Sequence, residues 1–126
     1  MSETPLVAIV DDDEAVRDAL LNLLQVEGLG AMGYASAAAF LSDPVSRSFD
    51  CVITDVRMDG MDGLELQRRV RSIDPLMPVI FVTAAIDDTT RTRAMSEGAT
   101  AYFTKPVANA ELMRELFLAL RLRPGC

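Results

Sequence analysis

Leu6-Val7-Ala8-Ile9-Val10-Asp11-Asp12-Asp13 is an apolar run that ends in three consecutive carboxylates. Three further runs repeat the pattern of an apolar stretch that delivers a polar group. Cys51-Val52-Ile53-Thr54 leads to Asp55, Val79-Ile80-Phe81-Val82 leads to Thr83, and Ala101-Tyr102-Phe103-Thr104 leads to Lys105-Pro106. Continuous apolar runs of this length are the pattern of strands buried on both faces, as parallel strands are. If they lie parallel, all these polar side chains emerge along one edge of one sheet. The carboxyl edge is where open α/β sheets build their sites.

Between the runs lie segments with helical spacing. Strands are predicted at 7–10, 31–34, 51–54, 79–82 and 101–104. The first helix is expected over 14–27, with Val16, Leu20, Leu23 and Leu24 on one stripe and Gly28 closing it. A short helix follows Ser36 as N-cap and runs to Leu41, where Asp43-Pro44 breaks it. The third helix spans 63–73, carries Leu64, Val70 and Ile73, and ends before Asp74-Pro75. The fourth spans 88–97 with Gly98 as its stop. The fifth starts after Asn109 as N-cap and places Leu112, Leu116 and Leu120 at helical spacing. Alternation of this kind implies an α/β domain, with a five-stranded parallel sheet covered by helices on both faces. By analogy with flavodoxin-like sheets the strand order is 2-1-3-4-5.

The chain has 126 residues, half of them apolar, which suits one domain with one core. The net charge of −7 argues against direct nucleic-acid binding and against an anionic membrane surface. No apolar stretch reaches a membrane span, and Met1-Ser2-Glu3-Thr4-Pro5 does not read as a signal peptide, so a cytoplasmic location is expected. Cys51 reads as a buried thiol and Cys126 as a tail thiol, unpaired. With no histidine in the chain, histidine-based triads and metal sites are excluded.

The acidic triplet has a modest explanation in helix capping, with Asp13 and Glu14 in a first turn. That leaves the arrival of Asp55 at a neighbouring strand end unexplained. Carboxylates crowded into one cleft repel, by roughly 1 kcal/mol per pair at about 4 Å in water. A hard divalent cation such as Mg²⁺ relieves this. Asp55 is then a candidate carboxylate nucleophile that forms an aspartyl phosphate. Thr83 is a candidate hydroxyl donor, and Ala84 and Ala85 allow close backbone approach. Lys105 is the one lysine beside eleven arginines, a compact charge suited to a phosphoryl oxygen. Met58, Met61 and Met95 read as core or interface filler. Arg68, Arg69 and Arg71 read as a solvated helix face, and Gly28, Gly30 and Gly33 as turn residues.

Ile9-Val10-Asp11-Asp12, Thr54-Asp55, Met61-Asp62-Gly63, Val82-Thr83-Ala84 and Tyr102-Phe103-Thr104-Lys105-Pro106 together resemble the receiver domain of bacterial two-component response regulators, with its CheY-like fold. The resemblance runs from Leu6 to about Leu122, so residues 1–126 read as a single receiver domain. Val10-Asp11-Asp12-Asp13 with Val16-Arg17, and Asp55-Val56-Arg57-Met58, look like the nitrogen-fixation (FixJ) type of transcriptional regulator. The resemblance implies Asp55 as phosphoacceptor and a histidine kinase as donor. It implies Mg²⁺ held by Asp11, Asp12, Asp55 and the backbone carbonyl of Arg57. Phosphoryl oxygens would meet Lys105, Thr83 and the Ala84 amide. Thr83 and Tyr102 would be the switch pair, acting on the surface of the fourth helix, fifth strand and fifth helix. Homodimerisation through that surface would follow, with Arg91, Met95 and Arg114 as readers of the change. One departure is Asp59, where the family usually has proline. A haloacid-dehalogenase-type phosphatase, from Asp11-x-Asp13 and Asp87-Asp88, and a receiver-like module that is never phosphorylated are the alternatives.

Overall fold

A computed structural model describes residues 4–122. Five parallel strands lie in the order β2-β1-β3-β4-β5, with β1 Leu6–Val10, β2 Gly30–Tyr34, β3 Cys51–Thr54, β4 Val79–Thr83 and β5 Ala101–Thr104. The helices are α1 Glu14–Val26, α2 Ala37–Ser42, α3 Gly63–Ile73, α4 Asp88–Ser96 and α5 Asn109–Leu122. Both the fold class and the strand order match the expectation.

The sheet has a core on each face, because successive residues of a strand point to opposite sides. Val7, Ile9, Ile53, Ile80 and Val82 pack against Leu20 and Leu24 of α1 and Leu112 and Leu116 of α5. Ala8, Val10, Val52, Val79 and Phe81 pack on the other side with Phe40 of α2 and Leu66 and Val70 of α3. The central runs are apolar throughout because both sides are covered. Asp13, Ser36, Asp62 and Asp87 accept backbone N–H bonds at the starts of α1 to α4, which satisfies donors that a helix leaves unpaired.

Several local expectations are corrected. The chain from Pro44 to Ser48 forms a 3₁₀ turn instead of a plain break, capped by Asp43 through the Val45 amide. Asn109 is the first residue of α5 and not its cap; the Leu112 amide bonds to the Ala108 carbonyl, one residue earlier. Ile73 is 44% exposed at the end of α3, where the stripe has turned out of the core. Gly30 and Gly33 are strand residues of β2, and only Gly28 sits in a turn. Met58 and Met61 pack half-buried on the core, whereas Met95 is exposed. Arg71 leaves the solvated face; its guanidinium reaches the carbonyls of Met77 and Gly98 and clasps the loops flanking β4 and α4. Cys51 is buried in β3, while Cys126 lies outside the described residues.

Candidate functional site

The carboxyl ends of β1, β3, β4 and β5 bring the predicted polar groups to one edge. The three carboxylates of the triplet have three different surroundings. Asp11 is 2% exposed. Its carboxylate accepts the Asp13 amide at 2.9 Å and the Lys105 ammonium at 3.2 Å, and its carbonyl accepts the Arg17 guanidinium at 2.7 Å. Asp12 faces solvent and accepts the Asp59 amide at 3.4 Å. Asp13 caps α1.

Asp55 is 7% exposed and held through its backbone. Its amide bonds to the Val10 carbonyl of β1, and its own carbonyl accepts the Thr54 hydroxyl at 2.9 Å. Its carboxylate is oriented by two donors, Lys105 Nζ at 2.9 Å and the Arg57 amide at 3.2 Å. The following loop folds back, since the Gly63 amide bonds to the Val56 carbonyl at 2.8 Å. A Cβ at Gly63 would stand 2.1 Å from the Asp55 carbonyl oxygen, so only glycine admits this approach.

Lys105 is fixed by its own amide, which bonds to the Thr83 carbonyl at 2.8 Å. Burial alone opposes its charge, but the bonds to Asp55 and Asp11 outweigh burial and hold the ammonium above its ordinary range. Asp11 moves the other way. Burial raises its carboxyl above the usual carboxylate range, against the Asp13 amide and Lys105. Three acids and one ammonium leave the cleft with excess negative charge.

Thr83 is fully buried, and its hydroxyl oxygen accepts the Ala85 amide at 3.1 Å. Tyr102 is also buried; its hydroxyl donates to the Ala85 carbonyl at 2.6 Å, and Arg91 lies 5.7 Å from its ring centre. The Tyr102 ring thus lies inward in this structure, with its hydroxyl end fixed on the Ala85 carbonyl. Ala84 is exposed at the rim. Sequence reasoning named Ala85, Thr54, Arg17 and Asp87 but missed what they do here. Ala85 joins Thr83 to Tyr102 through its two peptide groups, Thr54 and Arg17 brace the acceptor and the triplet, and Asp87 pairs with Arg57 at 3.1 Å. None of these is marked by composition, because each acts through a backbone group or across distant loops.

Among the described residues no three acidic or thiol side chains converge as a ready-made metal cluster. Asp11 and Asp55 turn to the ammonium and Asp12 turns to the Asp59 amide. The donors at this edge are all oxygens, the set preferred by hard cations.

The family model for the response regulator receiver domain matches residues 7–117. The response regulator protein TodT of Pseudomonas putida strain F1 is 37% identical over 119 residues, covering 94% of this chain and 52% of TodT. The transcriptional regulatory protein FixJ of Azorhizobium caulinodans is 39% identical over 113 residues, covering 90% and 54%. The chain thus spans about half the length of these relatives. Among solved structures, a CheY-like receiver domain from Methanospirillum hungatei superposes with a TM-score of 0.90 at 27% identity, covering 96% of this chain and 97% of that one. The N-terminal part of FixJ superposes with a TM-score of 0.84 at 29% identity, covering 96% and 97%. With a family model that spans most of its length and this fold, the chain belongs to the response regulator receiver domains of two-component systems.

Proposed function

We propose that Asp55 accepts a phosphoryl group from a histidine kinase in a Mg²⁺-dependent reaction, and that the modified domain controls an output through α4, β5 and α5. The observation that carries this is the buried Asp55 carboxylate, oriented at a strand end by Lys105 and the Arg57 amide. An Asp55 oxygen forms the new O–P bond as the bond from phosphorus to the donor's imidazole nitrogen breaks, and the imidazole leaves. Lys105 neutralises the phosphoryl oxygens, and Thr83 and the Ala84 amide donate to them. Asp11, Asp12, Asp55 and the Arg57 carbonyl would hold the Mg²⁺, which supplies charge neutralisation; Asp12 then gives up the Asp59 amide.

Thr83 reaches a phosphoryl oxygen by leaving the Ala85 amide. Ala85 also holds Tyr102, so this exchange carries the change toward β5 and α4. Arg91 lies on this route, and Met95 and Arg114 are exposed on α4 and α5. A homodimer through this surface follows once the two-state balance shifts. The domain acts as phosphoacceptor, not as a turnover enzyme, in the cytoplasm. Residues 1–126 form one receiver unit, with no direct contact to nucleic acid or membrane. Transcriptional output, as in its longer relatives, would need a further domain or partner. The phosphatase alternative has no support in family or fold.

The test is incubation with acetyl phosphate and Mg²⁺, followed by intact-mass measurement. One labile phosphoryl group is expected on wild type and none on Asp55→Asn. Equal labelling of the two overturns the acceptor assignment, and a wild type that stays unlabelled favours a non-phosphorylated interaction module.

A further inference from the structure

Helix α4 is held to the fold in an unusual way. Ala94 is its one buried residue, so it has no apolar stripe with which to anchor itself. What fastens it is polar. Arg57 pairs with Asp87 at the N-terminal end, and Arg68 of α3 pairs with Glu97 at 3.0 Å at the other. Arg71 bonds to the Gly98 carbonyl, and Arg91 lies over Tyr102. Beneath the helix, Gln67 is fully buried, yet its Nε2 reaches the Ala94 carbonyl only at 3.4 Å. Its Oε1 has no partner among the described residues. A buried amide oxygen left unpaired makes this seat a costly one.

Asp87 divides its two oxygens. Oδ2 accepts the Thr90 amide and hydroxyl and caps the helix, while Oδ1 takes the Arg57 guanidinium. Arg57 in turn has its backbone amide on the Asp55 carboxylate. One residue therefore touches the acceptor through its backbone and α4 through its side chain. Resting on the phosphoacceptor reading above, we propose that Arg57 is a two-position latch. With Asp55 unmodified its guanidinium holds Asp87. With a phosphoryl group on Asp55 it turns to the phosphoryl oxygens and releases the N-terminal end of α4. The competition favours release, because the acyl phosphate carries about −1.5 to −2 charges on three strong acceptor oxygens where the carboxylate carried one, a net gain of about −0.5 to −1 beside Arg57, whereas Asp87 is a solvent-exposed carboxylate whose pairing is weak.

Two variants isolate the latch. Asp87→Asn keeps the cap, since asparagine caps as well as aspartate, but loses the ion pair. Arg57→Gln removes the guanidinium and leaves the backbone amide. Amide hydrogen exchange across α4 is measured in unmodified protein and after treatment with acetyl phosphate and Mg²⁺, with the extent of phosphorylation read by mass in the same samples. In unmodified wild type α4 should be the more protected, with exchange in either variant about two- to fivefold faster, the range an exposed ion pair allows. Phosphorylation should speed α4 exchange in wild type and change it little in the variants. Raised salt should mimic the variants in wild type only. If wild type is phosphorylated but α4 exchange is unmoved, or moves equally in Arg57→Gln, the latch is refuted while the acceptor reading stands. If no phosphorylation occurs, the acceptor reading itself fails; a latch without it is excluded if the unmodified variants also match wild type.

Discussion

Gly63→Ala tests whether the acceptor loop is as tightly closed as the structure has it. The added Cβ would meet the Asp55 carbonyl oxygen at 2.1 Å, and the Asp55 carbonyl carbon and Val56 Cα at 3.0 Å each. All three are backbone atoms, so no flexible side chain can yield. Two effects oppose each other. Alanine is favoured over glycine inside a helix by about 1 kcal/mol, but Gly63 is the first residue of α3, where that gain is smaller. Overpacking costs about 1–3 kcal/mol, and a backbone clash belongs at the upper end. The net loss should be about 2 kcal/mol, or roughly 8 °C in Tm at about 4 °C per kcal/mol. Gly60→Ala is the control. Gly60 has φ +80° and nothing within 4 Å of an added Cβ, so it bears only the left-handed backbone penalty of about 1 kcal/mol. Urea unfolding of the three proteins, followed by circular dichroism, ranks them. If Gly63→Ala matches wild type, or is milder than Gly60→Ala, the close approach of α3 to the acceptor backbone is wrong.

Two further substitutions read the ionisable groups. Lys105→Met leaves Asp11 and Asp55 facing each other without a cation and should cost about 2 kcal/mol at pH 7. The ammonium is held above its ordinary 10.5, so in urea melts this difference should be full below pH 10.5 and close as pH rises through the raised value. Tyr34 donates to Asp43 at 2.6 Å, and burial, then this bond, push its phenol up to about 12. Its hydroxyl therefore stabilises the fold fully below pH 10 and ceases to do so as pH climbs toward 12. Tyr34→Phe should lower Tm below pH 10, with the gap to wild type closing above it. Because the chain has two tyrosines, phenolate absorbance should lose its upper step in the variant, and an unchanged titration would refute the bond.

The fold was legible because its central strands are buried on both sides. Val7 to Val10, Cys51 to Ile53 and Val79 to Val82 contain no polar break, and little but a parallel sheet covered on both faces accommodates them. The chemical groups at their ends followed from position alone. What could not be read depends on partners far away in sequence. Arg71 resembles its neighbours Arg68 and Arg69, and only the return of the chain at Met77 and Gly98 gives its guanidinium carbonyls to hold. The 3₁₀ turn after Asp43 is too short to show a period. Ala85 carries no functional side chain, so its link between Thr83 and Tyr102 is invisible without backbone geometry. The resemblance names Tyr102 as a switch partner of Thr83 but leaves open whether its ring lies inward or outward, since a tyrosine in a strand suits either. The Ala85 carbonyl decides for the inward ring here.

The ammonium between Asp11 and Asp55 belongs to the chain's one lysine. Side-chain amine chemistry in this protein is therefore confined to its site. Amine-selective dyes, cross-linkers and coupling surfaces all converge on Lys105 when they act on a side chain. Its reactivity is a gauge of the cleft, low while two carboxylates enclose a protonated amine. A label that does attach removes the charge that joins the ends of β1, β3 and β5. Fluorophores and tethers are better placed through engineered cysteines on exposed helix faces, leaving the one amine as an internal probe.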